Sequence, residues 1–525
     1  MSSNGGPTVA VKLFIDKEKK RVLFAESDKD FVDILFSFLT LPLGTIVRLF
    51  NKQSQIGCLD ELYRSVESFG EEHFQTRDCR TMLLRPVNAA AAHCDRLKVK
   101  VDADQTGIHV CPYYSSSSCG TGYFSSIRDV SCKCGRMMVC LRKWPQSSSP
   151  AATEDSTVDG IFSKGGVKFM VTDDLQVAPS STTLMFSLIN KLGLRKPLNI
   201  KEEVLQLNSN KIISLLRRTL LSKQPLTGLY FDVTIAPNLA SFNRLPDKLL
   251  TTQAIVADPK FQPIKIRLVQ AKDNSSVLYA EVKQDLVDLL FGLLCIPIGS
   301  VMKTYDQLSP DGCLHNIYNS VNVAGCVNQE CKSLLLSPKL PPFFGCSSNV
   351  LQVEELYPRT HHSPSNYLSE LNPKSPYRGH DTGYTSYVNV GSINFMVTDD
   401  LRIIDFSLAK SLQAIRSGKI PNGELVEKEL TLDKTQVGSQ DSKLKRTSSS
   451  FFFLFQFCTM FSTTVCLDLQ VLKLLRAAMA TRNALSSVLL PPPKYAATTP
   501  TQTTAASGLQ LSRSLRLQKP IQPGE

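Results

Sequence analysis

Cys111, Cys119, Cys132 and Cys134 follow one another as C-x7-C-x12-C-x-C, and Gly135 stands directly after the last cysteine. Four thiolates are a donor set for tetrahedral zinc. A glycine after a ligand lets the backbone turn tightly, so that its N–H groups face sulfur. The chemistry implied is structural. Four protein ligands leave no open coordination position, and no general base lies within the motif. The competing reading is a loop of four reduced, unconnected cysteines, because the spacing departs from the usual C-x2–4-C pairs.

Other chemistry-bearing residues recur. Asp173-Asp174 and Asp399-Asp400 sit in two copies of VTDDL and raise a paired-carboxylate site. Adjacent strand residues point to opposite faces, so a turn in which Asp binds nearby backbone N–H groups explains them better. Cys58 and Cys313 each lie between glycine and leucine and read as buried small hydrophobes rather than nucleophiles. His73, His93, His109, His315, His361, His362 and His380 form no metal spacing and read as surface or loop residues. There is no Gly-rich phosphate loop, nucleophile elbow or HExxH.

The elements that must position these residues belong to a chain of 525 residues, 42% apolar and 8% aromatic, with 29 Pro and 27 Gly. That composition excludes a wholly disordered, collagenous or coiled-coil chain. The net charge of +12 suggests nucleic acid until it is mapped. Residues 438–525 hold ten Lys/Arg and three acids, a surplus of seven, so residues 1–437 carry a surplus of only five. No dense basic run with interleaved aromatics accompanies it, and a nucleic-acid partner is not expected. The N-terminus shows no charged region followed by an apolar core, and the 15 cysteines come without an export signal. Reduced thiols or metal ligands in an intracellular, cytoplasmic or nuclear compartment are expected.

An internal repeat organises the chain. Residues 9–66 reappear at 264–321, displaced by 255: Val32-Asp33 with Val287-Asp288, Pro42 with Pro297, Gly57-Cys58-Leu59 with Gly312-Cys313-Leu314. The displacement falls to 252 (Cys79 with Cys331, Pro86 with Pro338) and to 226 at FMVTDDL, 169–175 and 395–401. Stepwise changes mark two copies that differ by loop-sized deletions, one of which removes all four motif cysteines together. Each copy opens on an alternating strand (Val9, Val11, Leu13, Ile15), a polar turn and a second strand. Ser27 stands as the N-cap of a helix with Asp30 in capping-box position, and Pro42 and Pro297 end the helices. A later strand, Met82 to Leu84, completes a β-grasp, ubiquitin-like expectation within an α+β fold class. Helices are predicted at 183–192, 211–221 and 471–480.

VLFAESDKDFVDILFSFLTLPLGTIV (22–47), GCLDELYRSV (57–66), KCGRMM (133–138), FMVTDDL and LKLLRAAMATRNAL (472–485) resemble a plant-specific uncharacterised family, domain of unknown function 674. The resemblance covers 9–435 and 471–490 and implies no activity or catalytic residue. Two departures stand out. The second copy lacks KCGRMM, and 437–470 interrupts it as a phenylalanine-rich insert or a gene-model artefact. The expected layout is copy one at 1–231 with a Cys-rich loop at 111–140, a linker at 232–262, and copy two at 263–436. The insert follows, then the last helix of copy two at 471–490 and a disordered tail at 491–525. The expected function is a non-catalytic interaction protein with a structural zinc loop and a protein partner. The alternatives are an enzyme with its cleft between the copies, or a membrane-tethered form using the uncharged stretch 447–467.

Overall fold

The computed structural model describes residues 6–490 except 103–106, 115–118, 120–121, 144–158, 194–199, 236–263, 274–275, 306–311, 364–365, 378–382, 392–393, 418–424 and 433–469. All of the insert but Gln470, the stretch 447–467, the tail and nearly all of the expected linker therefore lie outside the described residues. The N-terminal half contributes β1 (Val9–Asp16), β2 (Arg21–Ser27), three short strands β3 (Ile108–Val110), β4 (Tyr123–Ser125) and β5 (Cys140–Arg142), then β6 (Phe169–Thr172), β7 (Val177–Pro179) and β8 (Ile200–Leu207). The C-terminal half contributes β9 (Ile264–Ala271), β10 (Val277–Val282), β11 (Thr360–Ser363), β12 (Asn366–Glu370), β13 (Phe395–Thr398), β14 (Ile403–Asp405) and β15 (Leu425–Leu432).

Each half builds an antiparallel five-stranded sheet, ordered β7-β6-β2-β1-β8 in one and β14-β13-β10-β9-β15 in the other. The alternation read in β1 is realised, with Val9, Val11, Leu13 and Ile15 buried on one face. Its turn into β2 is an Asx turn, in which Asp16 Oδ1 accepts from the N–H groups of Glu18 and Lys19 at 3.0 and 3.1 Å. The α+β class holds, but the β-grasp expectation loses the strand it rested on. Met82–Leu84 is the end of a helix, Arg77–Leu84, that buries Cys79, Met82 and Leu83. A spacing of i, i+3, i+4 is a helical face, and it outweighs the short apolar run. The first long helix, Lys29–Ser37, is capped by Asp28, whose side chain accepts from Asp30 N–H; Ser27 instead ends β2 and is buried.

Reciprocal contacts weld the two halves into one compact unit, Met1–Leu490. Pro42 and Pro297 cap the next helices, Leu43–Leu49 and Ile298–Tyr305, and meet each other. Leu43 N–H donates to Ile296 O at 3.0 Å, and Ile298 N–H donates to Leu41 O at 2.9 Å. Val177 N–H donates to Ser320 Oγ and Ile403 N–H to Ser65 Oγ, both at 2.9 Å. The helices Ser209–Leu221 and Gln470–Ala480 each pack on the opposite half. Cys313 N–H donates to Thr219 O at 2.9 Å, and Cys58 N–H to Ala478 O at 2.7 Å. Residue i meeting j while the matched j meets i is the pattern of an isologous dimer, here within one chain.

The Gly-Cys-Leu corners follow from this exchange. Gly57 has φ +50, and a Cβ there would fall on the carbonyl of Ala478 and 2.6 Å from Met479 C. A Cβ on Gly312 would lie 2.6 Å from Leu220 O. Both contacts are with helix backbone, which cannot swing away. Gly57→Ala is expected to cost about 2–4 kcal/mol through strain and overpacking together. Gly312→Ala, without the positive φ, should cost about 1–3 kcal/mol through overpacking alone. Urea denaturation of the full chain measures both.

Candidate metal centre

The third sheet joins the halves, in the order β11-β12-β4-β3-β5, with β12 parallel to β4. It positions the cysteine motif. Cys111 follows β3 directly, and its carbonyl accepts from Tyr114 N–H at 3.0 Å. Cys132 and Cys134 sit at a hairpin tip closed by Cys132 N–H to Arg136 O (2.7 Å), Gly135 N–H to Cys132 O (2.8 Å) and Met138 N–H to Val130 O (2.9 Å). Gly135 takes φ +87, the left-handed turn expected of it.

The four sulfurs converge, all within 4.8 Å of one another. Cys111 Sγ and Cys134 Sγ are 3.7 Å apart, and Cys119 Sγ and Cys132 Sγ are 3.6 Å apart. A disulfide requires about 2.05 Å. A tetrahedron with Zn–S bonds of about 2.3 Å has edges of roughly 3.8 Å, so these two separations match its edges and the set could hold one ion. Cys111, Cys119 and Cys132 are buried and Cys134 is half-buried. Burial pushes the Cys111 thiol up to about 12. The Arg136 backbone N–H beside Cys134 draws its thiol down to about 6. Several thiolates cannot share such a site unless a cation neutralises them. The donor set therefore fits a soft divalent ion with no open position.

The remaining candidates are tied into the architecture. Asp173 accepts from Thr227 N–H (2.8 Å) and Thr227 Oγ1 (2.7 Å). Asp399 accepts from Ser486 N–H (2.7 Å) and Ser486 Oγ (2.6 Å). Each first aspartate thus pins a short helix, Pro225–Tyr230 or Ala484–Leu489, beside its sheet. The second aspartates behave as turn residues: Asp174 accepts from Thr172 Oγ1, and Asp400 from Thr398 Oγ1. Cys58 and Cys313 are buried, with their thiols pushed up by desolvation.

The surface reading fails for two histidines. His73 is buried between Phe69 and Phe395 and places Nε2 3.0 Å from Asp405 Oδ1 across the interface of the halves. His109 is buried in β3.

Sequence reasoning assigned no role to Asp33 and Asp288, although the repeat displays both. Asp33 accepts from the N–H groups of Ile161 (2.7 Å), Phe162 (2.9 Å) and Ser163 (2.7 Å). Asp288 accepts from the N–H groups of Ser347 (2.9 Å) and Tyr387 (2.6 Å). Asp33 thus gathers one loop, and Asp288 ties together two segments that lie on either side of β11 and β12 in the chain.

Two outcomes are expected. Asp173→Asn should destabilise the chain by about 1–3 kcal/mol and Asp174→Asn by less than about 1 kcal/mol, measured by denaturant titration. In metal-free protein Cys134 should be the fastest of the described thiols to be alkylated at pH 7. A depressed thiol remains thiolate above its pKa and protonates as pH falls, so its rate should drop below about pH 6, and zinc should abolish it. Peptide mass spectrometry after a short iodoacetamide pulse reads this.

Comparison with curated proteins and with solved structures gives no match. A family model described as "Protein of unknown function (DUF674)" matches residues 5–435. The chain belongs to that family.

Proposed function

We propose that this chain is a non-catalytic interaction protein whose N-terminal half is stapled by structural zinc on Cys111, Cys119, Cys132 and Cys134. The observation that carries the reading is the convergence of four sulfurs within 4.8 Å of one another, two pairs of them at tetrahedral-edge separations. The aspartates and the Gly-flanked cysteines raised as catalytic candidates hold helices and corners in place, which favours binding over catalysis.

A protein partner is favoured by what surrounds the metal site. Tyr113, Met137, Val139 and Leu141 are exposed on the module, and the Arg136 guanidinium stacks 4.4 Å from the Tyr113 ring. Aromatic, Met and Arg side chains in one patch are the composition of interface centres. The two halves are read as tandem copies of one ancestral unit, supported by their matching strand orders and reciprocal contacts. The thirteen described cysteines carry no disulfide, which fits the reducing intracellular compartment proposed for the protein. Among the described residues no helix is long and apolar enough to cross a membrane.

Elemental analysis of the purified full chain is the test. About one zinc per chain is expected, lost in Cys132→Ser together with a lowered melting temperature. Zinc-free native protein with an unchanged melting temperature after chelation would overturn the staple. An activity abolished by Asp173→Asn or Cys58→Ala at unchanged stability would overturn the non-catalytic reading.

A further inference from the structure

The cysteine module forms one wall of a cleft of about 670 Å³, a volume typical of sites for small organic ligands. The opposite wall comes from the helices Leu43–Leu49 and Arg77–Leu84 and the segment that follows them. Strand periodicity builds the module's wall. Ile108 and Val110 of β3 turn to a small apolar cluster with Phe124 and Leu368, so His109 between them faces the other way, opposite Leu141 of β5, and lines the cleft. Leu97, Val101, Ile127 and Val139 complete an apolar lining.

The charges of the cleft cancel in pairs. Arg48 Nη2 lies 2.6 Å from Asp102 Oδ2, Lys100 Nζ 2.8 Å from Asp95 Oδ1, and Arg128 Nε 3.4 Å from Asp129 Oδ2. Arg85 is engaged as well. An ion entering the cleft would lose its water and meet no unpaired counter-charge there, which disfavours both anions and cations. What the wall offers instead is His109. It is 7% exposed, and its Nδ1 has no hydrogen-bond partner among the described residues. Burial, and after it the Arg128 guanidinium, hold the imidazole below its ordinary range, so it is neutral at pH 7. A buried polar atom without a partner is costly, and a bound molecule is one means of satisfying it.

The same position in the C-terminal half carries a second cleft of about 690 Å³. Thr45, Arg48, Thr81 and Pro86 of the first correspond, by the displacements of the repeat, to Ser300, Lys303, Ser333 and Pro338 of the second. A hollow kept at matched positions is a feature of the repeated unit and not a packing accident. Only the first is walled by the cysteine module, and so only the first has His109 in its lining.

We propose that the first cleft is a binding site for a small neutral organic molecule that carries one hydroxyl: its apolar body lies between the two walls, and the hydroxyl bonds His109 Nδ1. A hydroxyl suits either tautomer of a neutral imidazole, since it both donates and accepts. The site is distinct from the metal centre and requires no step at zinc.

The probes are 2-naphthol, 2-methylnaphthalene and 2-naphthalenesulfonate, which share one apolar body and differ in a single substituent. Equilibrium dialysis of the native full chain at pH 7 should show saturable binding of 2-naphthol, with the sulfonate about tenfold weaker or more. His109→Phe should weaken 2-naphthol about five- to tenfold and leave 2-methylnaphthalene unchanged, because the hydroxyl then enters the cleft without a partner. Val139→Trp, at a position 49% exposed, should weaken both neutral probes, while Lys303→Trp, at an exposed position of the second cleft, should change neither. Variants are compared only where they keep the parent's melting temperature. In the parent chain labelled with 15N-histidine, the Nδ1 resonance of His109 should shift with 2-naphthol far more than with 2-methylnaphthalene, a readout that needs no variant at that buried position. Absence of saturable 2-naphthol binding, a sulfonate bound as tightly, an Nδ1 resonance that does not distinguish the neutral probes, or 2-naphthol binding indifferent to Val139→Trp or to a folded His109→Phe would overturn the proposal.

Discussion

The structure depends on two corners where a glycine lies flat against the backbone of a helix from the other half. Cys58 N–H on Ala478 O and Cys313 N–H on Thr219 O fix those corners, and the missing Cβ on Gly57 and Gly312 is what permits the approach. Each late helix bridges both halves: besides these cross contacts, Arg217 Nη2 donates to Gln53 O and Tyr305 Oη to Leu472 O, both at 2.9 Å, each within its own half. One continuous apolar core, running from Val9 in β1 to Leu485 in the last helix, results. The proline pair and the serine bonds from Ser65 and Ser320 repeat the same reciprocity around it. A body built this way is cooperative: the hydrophobic free energy of the shared core is available only when both halves are folded.

The cysteine module is the asymmetric part. In chain order it follows the helices of the N-terminal half and precedes β6, and it reaches the C-terminal half through β4 and β12, where Leu371 N–H donates to Phe124 O at 2.8 Å. Ile108, Val110, Phe124 and Leu368 form a small separate cluster, while Ile127, Val130, Met138 and three of the cysteines join the main core. Sulfurs held a few ångströms apart in a dry site repel one another as thiolates, and a bound cation reverses that sign.

What was legible in the sequence was local or repeated. The helix predicted at 183–192 is Thr182–Lys191, and those at 211–221 and 471–480 are Ser209–Leu221 and Gln470–Ala480, because each carries an apolar stripe. The four cysteines were legible as one set because a single deletion removes them together. What was missed needed a partner far along the chain. Turn chemistry explains Asp174 and Asp400, but Asp173 binds Thr227 and Asp399 binds Ser486. The glycine of Gly57-Cys58 answers to a helix more than 400 residues away, and no local pattern shows that. Met82–Leu84 alone fits either period, and only together with Cys79 do its apolar residues define a helical face.

The central claim, four sulfurs holding one zinc, is tested most directly by X-ray absorption at the zinc K-edge on the purified full chain. The account predicts a single shell of four sulfurs at about 2.3 Å. A shell containing nitrogen or oxygen donors at about 2.0–2.1 Å, or no zinc edge at all, would contradict it.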